Sequence, residues 1–273
     1  MPEEPAFSWP GGAKVAVSLT FDVDAESGFL GDSMAYGRRL TSLSEGRFGV
    51  VRGMPRIIEL LGSHGIKASF FVPGHTAATY PDVVPMILAG GHEVGHHGHM
   101  HLRTDRVSMP DQRDELERGF EALEASGAPR PKGYRSPAWE MTPETFGLLV
   151  EAELAYDSSC MGDDRPYFEV WDDMQMLELP VHWSLDDWPR FGWSIDIGGN
   201  VANVEELYES WIAEYRAARG EGRHVTFTMH PEVIGRGYRF AALERLVETM
   251  VKDGDVWFAR LDEVADHVRP VLG

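Results

Sequence analysis

The stretch at residues 14–24 constrains the fold most, because two kinds of side chain alternate strictly along it. One set is apolar: Val15, Val17, Leu19, Phe21 and Val23. The other set is small or polar: Ala16, Ser18, Thr20, Asp22 and Asp24. A period of two is typical of a β-strand, and in a barrel wrapped by helices the apolar side faces the helices. Residues 224–230, near the other end of the chain, repeat this pattern and end in His230.

Strand and helix patterns alternate along the whole chain of 273 residues. About seven β/α repeats can be distinguished, which favours parallel strands in a barrel over an open sheet. The sequence therefore predicts an α/β fold, a (β/α) barrel of about seven strands, with residues 1–273 as a single domain. Titratable side chains lie at several strand ends: Asp22, Asp24, His97, Arg135 and His230. Active sites of barrels assemble at the carboxyl ends of strands, so we expect these side chains to meet.

Five of the eleven histidines fall within residues 92–101. Neutral imidazole is a common ligand for zinc-like ions. The spacing of His97 and His101 predicts that both project from one side of a helical turn toward one ion. A pair of solvated or hydrogen-bonded histidines is the alternative for this spacing taken alone. The remaining histidines of the cluster are expected to be structural: His92, His96 and His99.

Charge and cysteine content limit the partners and the compartment. A formal charge of -19 disfavours binding to phosphate backbones or anionic lipid, so neither nucleic acid nor a membrane is expected as a partner. The single cysteine, Cys160, excludes an internal disulfide and is expected to be a structural thiol. The acidic start of the chain lacks the pattern of a signal peptide, which predicts a cytoplasmic protein.

Residues 25–52 contain many glycines and serines and predict a long connection without regular structure. Connections of this length inside a compact domain are usually functional. This one is expected to serve as a lid over the site or as a contact between copies of the chain, or else to be mobile. A homo-oligomer is therefore one expected arrangement.

Five motifs resemble, in their order along the chain, those of the polysaccharide deacetylase (NodB-type) family. They are Thr20-Phe21-Asp22-Val23-Asp24, His97-xxx-His101, Arg135-Ser136-Pro137, Leu185-Asp186-Asp187-Trp188-Pro189 and Thr228-Met229-His230-Pro231. The resemblance runs from about residue 14 to 265 and implies a distorted (β/α) barrel, usually of seven strands. It also implies that Asp24, His97 and His101 bind a divalent metal, usually zinc. By the same resemblance, Asp22 is the catalytic base, Arg135 orients that base and His230 is the catalytic acid.

Two departures separate the chain from the extracellular members of that family. Those proteins usually have two adjacent aspartates followed by glycine in the first motif and a Ser or Thr after the first metal histidine. This chain has Asp22-Val23-Asp24 and Gly98 instead. In these features it looks more like the intracellular branch, which includes cyclic imide hydrolases, allantoinase-like enzymes and a peptidoglycan deacetylase. The substrate that this implies is either an N-acetylated saccharide or a small cyclic imide or ureide.

Hydrolysis of an amide or imide needs an activated water, a stabilised oxyanion and a proton for the leaving nitrogen. A metal with three protein ligands keeps open positions, lowers the pKa of its bound water and polarises a carbonyl. Asp22 could take the proton of the water and His230 could protonate the nitrogen. Trp139, Trp188 and Asp187 could contact the substrate; the alternatives are two core aromatics and a turn former before a proline.

The expected function is therefore that of a metal-dependent hydrolase that acts on a non-peptide carbon–nitrogen bond. The competing hypothesis is a catalytically silent barrel that serves as a binding or scaffold protein. The joint presence of the titratable residues argues against a scaffold, which has no need of all of them. A structure in which these side chains lie too far apart to share one ion would favour the scaffold hypothesis.

Overall fold

One sheet of nine strands forms the centre of the computed structural model, which describes residues 7–196, 198–199 and 201–273. The strands are β1 (Val15–Asp22), β2 (Ser69–Val72), β3 (Glu93–His96), β4 (Gly133–Tyr134), β5 (Tyr156–Asp157), β6 (Tyr167–Trp171), β7 (Met174–Glu178), β8 (His224–Met229) and β9 (Val256–Phe258). Their spatial order is β6-β7-β5-β4-β3-β2-β1-β8, and β9 pairs with the first half of β1. The β6–β7 pair is antiparallel, and the other pairs of named strands are parallel.

Helices connect most of the parallel strands. They are α1 (Ser27–Asp32), α2 (Leu40–Phe48), α3 (Met54–His64), α4 (Gly74–Thr79), α5 (Val83–Ala89), α6 (Met109–Ala125), α7 (Pro143–Glu151), α8 (Trp188–Phe191), α9 (Val204–Glu221), α10 (Pro231–Ile234), α11 (Gly237–Asp253) and α12 (Leu261–Leu272). Short 3-10 helices lie at Pro10–Gly12, Met34–Arg38, Thr104–Arg106, Pro137–Trp139 and Trp183–Leu185, and a π-helix lies at Gly49–Gly53. Among the described residues, no helix has both the length and the apolar character needed to span a bilayer.

The sheet is curled into a distorted barrel. An isolated parallel bridge between Asp186 and Thr228 joins β8 to the segment that follows β7. The predicted single-domain α/β barrel is thus confirmed. The strand count differs from the prediction of about seven, because the β6–β7 hairpin adds an antiparallel strand and β9 adds a short one beside β1.

The alternation in β1 places its side chains as predicted. The apolar residues of β1 and β8 lie in the layer between the sheet and the helices: Val15, Val17, Leu19, Phe21, Val225, Phe227 and Met229. Burial of each large apolar side chain of this kind contributes about 1.5–3 kcal/mol to folding. The opposite face of β1 points into the barrel, where the Ser18 hydroxyl contacts His224 Nε2 at 2.9 Å. The polar face therefore leads along the barrel interior to Asp22.

The segment between β1 and α3 is helical, so the prediction of an irregular connection over residues 25–52 was wrong. It contains α1, a 3-10 helix, α2 and part of the π-helix. Gly46 is the one buried residue of α2, so that helix has no apolar face that periodicity could reveal. Two other helices begin at residues that favour helix starts, because Thr142 caps α7 and Asn203 caps α9 with its side chain.

Candidate active site

A cavity of about 320 Å³ opens where the parallel strands end. Five of the predicted catalytic and metal-binding residues line it: Asp22, Asp24, His97, His101 and His230. Gly28 and Asp32 of α1 form part of one wall, and tryptophan side chains form part of another. The titratable residues at the strand ends therefore meet in one space, as the barrel prediction required.

Arg135 lies beneath this cavity and binds Asp22. It directly follows β4 and is completely buried. Its Nη1 donates to Asp22 Oδ1 at 2.8 Å and to Thr20 Oγ1 at 2.9 Å. Its Nε and Nη2 donate to the carbonyl and hydroxyl oxygens of Ser158 at 3.0 and 2.9 Å. The guanidinium thus fixes one oxygen of Asp22, and the other oxygen, Oδ2, lies 3.9 Å from His97 Nε2.

Asp24 lies between two imidazoles, two residues beyond Asp22. Its Oδ1 is 3.4 Å from His97 Nε2 and its Oδ2 is 3.3 Å from His101 Nε2. The backbone carbonyl of Asp24 is held by the hydroxyls of Ser27 at 2.6 Å and Thr76 at 2.8 Å. These bonds fix the chain where β1 has ended, so that the carboxylate points at both rings.

The hydrogen bond of His97 determines which ring nitrogen is free. Its Nδ1 lies 2.7 Å from the carbonyl oxygen of Arg135, and because a carbonyl can only accept, Nδ1 carries the hydrogen. The lone pair of a neutral ring is then on Nε2, which faces Asp24. A histidine that ligates a metal commonly donates its other N–H in this way.

The donor set of Asp24, His97 and His101 fits a divalent metal. One ligating atom from each side chain lies within 4.8 Å of the others, and Asp24 Oδ1 is buried with no hydrogen-bond partner. Burial raises the pKa of Asp24, but His101 and His97 outweigh burial and hold that pKa well below its usual range. Burial lowers the pKa of His101 to about 4. Both groups therefore favour the deprotonated forms that bind metals.

The loop that carries the two imidazoles is not helical, so the predicted helical turn was wrong. β3 ends at His96, and the loop beyond it contains two residues with positive φ, Gly98 at 70° and His101 at 60°. Helix α1 packs tightly against this loop. A Cβ on Gly31 would lie 2.3 Å from the carbonyl oxygen of His101. The rings of His97 and His101 meet through this irregular backbone rather than through helical spacing.

His230 follows β8 and lies beside Asp24 in the cavity. Its Nδ1 lies 2.8 Å from Asp187 Oδ1, and its Nε2 lies 3.9 Å from Asp24 Oδ2. Burial opposes the charged ring, but the carboxylates of Asp186 and Asp187 raise the pKa of His230 well above its usual value. The imidazole is therefore held as a proton donor with Nε2 toward the cavity.

Asp187 does not occupy the position expected for a substrate contact. It is completely buried behind His230 and is not among the residues that line the cavity. Its neighbour Asp186, which the sequence reasoning did not select, does line the cavity, and burial raises the pKa of Asp186 to about 7. The adjacent aspartates at residues 186 and 187 were the available signal, but the sequence does not show which one faces inward.

Trp139 and Trp188 both line the cavity, as expected for candidate substrate contacts. Trp183, which the sequence reasoning missed, packs against Trp139 with the rings tilted by 30° and their centroids 4.3 Å apart. Trp188 lies beside His230, with ring centroids 5.3 Å apart. The aromatic side of the cavity can therefore cover a flat or ring-shaped substrate.

The remaining candidates from the sequence lie outside the cavity. His96 Nε2 binds the carbonyl oxygen of Leu116 at 2.9 Å, and His92 Nδ1 accepts from the backbone of Ala68 at 3.2 Å. His99 also lies away from the cavity lining. Burial raises the pKa of the Cys160 thiol, which makes it unreactive.

Comparison with known proteins agrees with this geometry. The sequence profile of the family described as polysaccharide deacetylase matches residues 11–156. A Helicobacter pylori protein named peptidoglycan deacetylase is 27% identical over 93% of this chain and 96% of its own. A crystal structure from Mycobacterium smegmatis, provisionally named a polysaccharide deacetylase, is 38% identical with a TM-score of 0.93 and covers 99% of this chain and 95% of its own. The crystal structure of PuuE allantoinase is 21% identical with a TM-score of 0.86, over 98% of this chain and 95% of its own.

The family profile covers more than half of the chain, and the Mycobacterium smegmatis protein matches it almost from end to end. The chain belongs to the polysaccharide deacetylase family and is a hydrolase that acts on carbon–nitrogen amide bonds.

Proposed function

We propose that this hydrolase uses a divalent metal of the zinc type to cleave a non-peptide carbon–nitrogen bond in a small cyclic amide or imide. The observation that carries the proposal is the convergence of Asp24, His97 and His101 on the same cavity as Asp22 and His230. Ligands for a metal, a base and an acid are the groups that amide hydrolysis needs. The silent scaffold is disfavoured because the ligating atoms are close enough to share one ion.

Asp24, His97 and His101 would hold the ion, and Asp24 Oδ1 has no competing hydrogen bond. When bound, an ion of this type lowers the pKa of a coordinated water and polarises the carbonyl of the substrate. Three protein ligands leave positions open for both. The chain's own residues must then supply the two proton transfers.

Asp22 acts as the base in this proposal. Its Oδ1 is occupied by Arg135, so Oδ2 accepts the proton of the attacking water. His230 acts as the acid, because Asp187 holds its Nδ1 and leaves Nε2 to protonate the leaving nitrogen. One proton arrives at Asp22 and one leaves His230, so each turnover ends with a proton transfer from the carboxyl group back to the imidazole, directly or through water.

The size of the cavity supports a small substrate. Its volume of about 320 Å³ lies near the lower end of the range of small-molecule pockets, roughly 300–1,000 Å³. Helix α1 closes one side, where Asp32 accepts from Arg106 at 3.2 Å. The tryptophans close another. A ring that enters whole suits this shape better than a polymer, and a protein of similar fold is an allantoinase by name.

A second candidate substrate is an N-acetyl group at the end of a saccharide. The observation in its favour is the Helicobacter pylori relative, whose name gives peptidoglycan deacetylase and which matches 93% of this chain. The contacting pair of Trp139 and Trp183 could also cover one sugar ring. With the saccharide substrate, the rest of the polymer must extend out through the mouth of the cavity, whereas the small ring fits inside it.

The experiment is an assay of chelator-stripped protein against cyclic imides, ureides and N-acetylglucosamine oligomers, before and after addition of zinc or cobalt. We expect no turnover without metal, recovery with one equivalent of metal, and a preference for the small rings. His97→Gln should not recover. His99→Gln, which changes a histidine of the same loop outside the cavity, should recover fully.

Full activity in stripped protein would show that the metal role is wrong. Turnover of the oligomers but not of the rings would select the saccharide. No turnover of any compound by the loaded protein would favour the silent scaffold.

A further inference from the structure

A chain of hydrogen bonds leads from His97 away from the cavity to a buried carboxyl group. His97 Nδ1 donates to the carbonyl of Arg135 at 2.7 Å. The same peptide group carries the N–H of Ser136, which donates to Ser159 Oγ at 2.8 Å. That hydroxyl in turn donates to Asp157 Oδ1 at 2.9 Å. An imidazole, a peptide group, a hydroxyl and a carboxyl group are thus connected in series, and all are buried.

Asp157 does not stand alone at the end of this chain. It is the register partner of Glu178 on β7, and each of the two residues is about 1% exposed. The N–H of Ser159 donates to both carboxyl groups at 3.0 Å, and the N–H of Cys160 donates to Glu178 Oε1 at 3.1 Å. The carboxyl pair therefore fixes the turn at residues 158–160. Burial raises the pKa of each group, which favours one shared proton and a single negative charge.

We propose that Asp157 is a positioning residue for the metal site, which acts on His97 through Ser159 and the Arg135–Ser136 peptide group. A carboxylate that accepts a hydrogen bond from the N–H of a metal-binding histidine fixes the ring and makes the metal-binding nitrogen more basic. In this protein a hydroxyl and a peptide group stand between the two. Successive hydrogen bonds polarise one another, so the negative charge still increases the electron density at His97 Nε2. The inference rests on the proposed function, because it requires His97 to be a ligand.

The same turn also holds the side chain of Arg135, but through a different residue. Ser158 accepts from the guanidinium with both its carbonyl and its hydroxyl oxygen. One branch therefore runs from Ser159 to the imidazole of His97, and the other runs from Ser158 to the guanidinium that binds Asp22. The two branches can be cut separately, which makes the inference testable.

The test is the zinc affinity of the protein, measured by competition with a chromophoric chelator. Asp157→Asn replaces the carboxylate that accepts from Ser159 by a neutral amide and leaves the charge of the pair on Glu178, and Ser159→Ala removes the hydroxyl that connects Asp157 to the peptide group. We expect each to weaken zinc binding by about tenfold, as loss of outer hydrogen-bond partners commonly does. Ser158→Ala should lower kcat and leave the zinc affinity unchanged, because it affects only the Arg135 branch.

Glu93→Gln is the matched control. Glu93 is also a buried carboxyl group, and it accepts from Tyr156 at 2.8 Å and from the backbone of Asp262 at 3.1 Å. None of these residues lines the cavity. The control should lose stability without losing zinc affinity. An equal loss of zinc affinity in Glu93→Gln would show that any buried substitution weakens the site, and would overturn the proposed role of Asp157.

A second measurement separates this inference from the proposed function. In metal-free protein, the ¹⁵N chemical shift of His97 Nδ1 should change in Asp157→Asn and in Ser159→Ala, and stay constant in Glu93→Gln. If the wild-type protein binds no zinc, the proposed function fails, and the shift then decides only whether Asp157 acts on the His97 ring. If the wild-type protein binds zinc and the folded variants Asp157→Asn and Ser159→Ala bind it equally well, only the proposed role of Asp157 is wrong. Asp157, Cys160 and Glu178 are also close enough to share an ion. If the protein binds a second equivalent of zinc and Cys160→Ser abolishes that binding, Asp157 is a ligand itself and its proposed positioning role is wrong.

Discussion

Asp22 and Asp24 are two residues apart at the end of one strand, yet their surroundings differ. Asp22 receives a hydrogen bond from a buried guanidinium at 2.8 Å. Asp24 lies among the imidazoles of His97, His101 and His230, and its Oδ1 has no hydrogen-bond partner. The protein therefore supplies a permanent cation for one carboxylate and leaves the other dependent on protonated imidazoles or on an external ion. Neighbouring residues of the same type can thus take different roles in one site.

Replacement of each aspartate by asparagine should separate these roles and give the largest effect. Asp24→Asn should lose both bound metal and activity, because it removes a charged ligand. Asp22→Asn should keep its metal and lose about 10²–10⁴ in kcat, the usual contribution of a general base. Metal content by mass spectrometry and kcat by the substrate assay check this. Loss of metal from Asp22→Asn would contradict the division of roles.

Arg135→Met should destabilise the protein by about 3–5 kcal/mol, because it leaves Asp22 buried without a partner. Urea unfolding with circular dichroism measures the free energy of unfolding. The double variant Arg135→Met with Asp22→Asn should recover part of that loss. If the double variant loses as much free energy of unfolding as the two single variants together, Arg135 and Asp22 do not stabilise the protein as a pair.

Asp187→Asn should move the basic limb of the pH–rate profile to lower pH. The carboxylates raise the pKa of His230, so the protonated acid persists above the ordinary imidazole pKa of about 6.5. Loss of one carboxylate charge lowers that pKa, and the active protonated form disappears at a lower pH. Asp114→Asn, at an exposed position on α6, is the control. An unchanged profile would show that His230 is not the titrating acid.

Gly31→Ala should give the smallest effect of the series. The new Cβ meets the backbone of the loop that carries His101, so we expect about 1–3 kcal/mol of lost stability and weaker zinc binding. Gly62→Ala in α3 is the matched control, since a Cβ there has nothing within 4 Å. Chelator competition and urea unfolding measure both variants. Equal behaviour of the two would show that α1 does not position the loop.

The sequence predicted those parts of the fold in which the alternation of side chains reflects what each face of the element contacts. β1 and β8 have one face toward helices and one toward the barrel interior, so their side chains alternate. β4 and β5 have two residues each, which is too short for a period to appear. The helical segment at residues 27–53 takes its place from packing against other elements, and its own pattern carries little information.

The candidate site divides in the same way. Residue type at a strand end was enough to select Asp22, Asp24, His97 and His230, which line the cavity. It did not select Trp183 or Asp186, because their direction depends on how the segment after β7 packs against β8. The conformation of the His97–His101 loop also could not be predicted, since it depends on positive φ angles that spacing does not report.

The backbone conformation at His101 has a thermodynamic consequence. A residue other than glycine in the left-handed region raises the energy of the backbone by about 1–2 kcal/mol, and His101 is such a residue. The packing of α1 against the loop must offset this cost when the chain folds. The stability of the folded protein is therefore lowered by the conformation that brings the two imidazoles together.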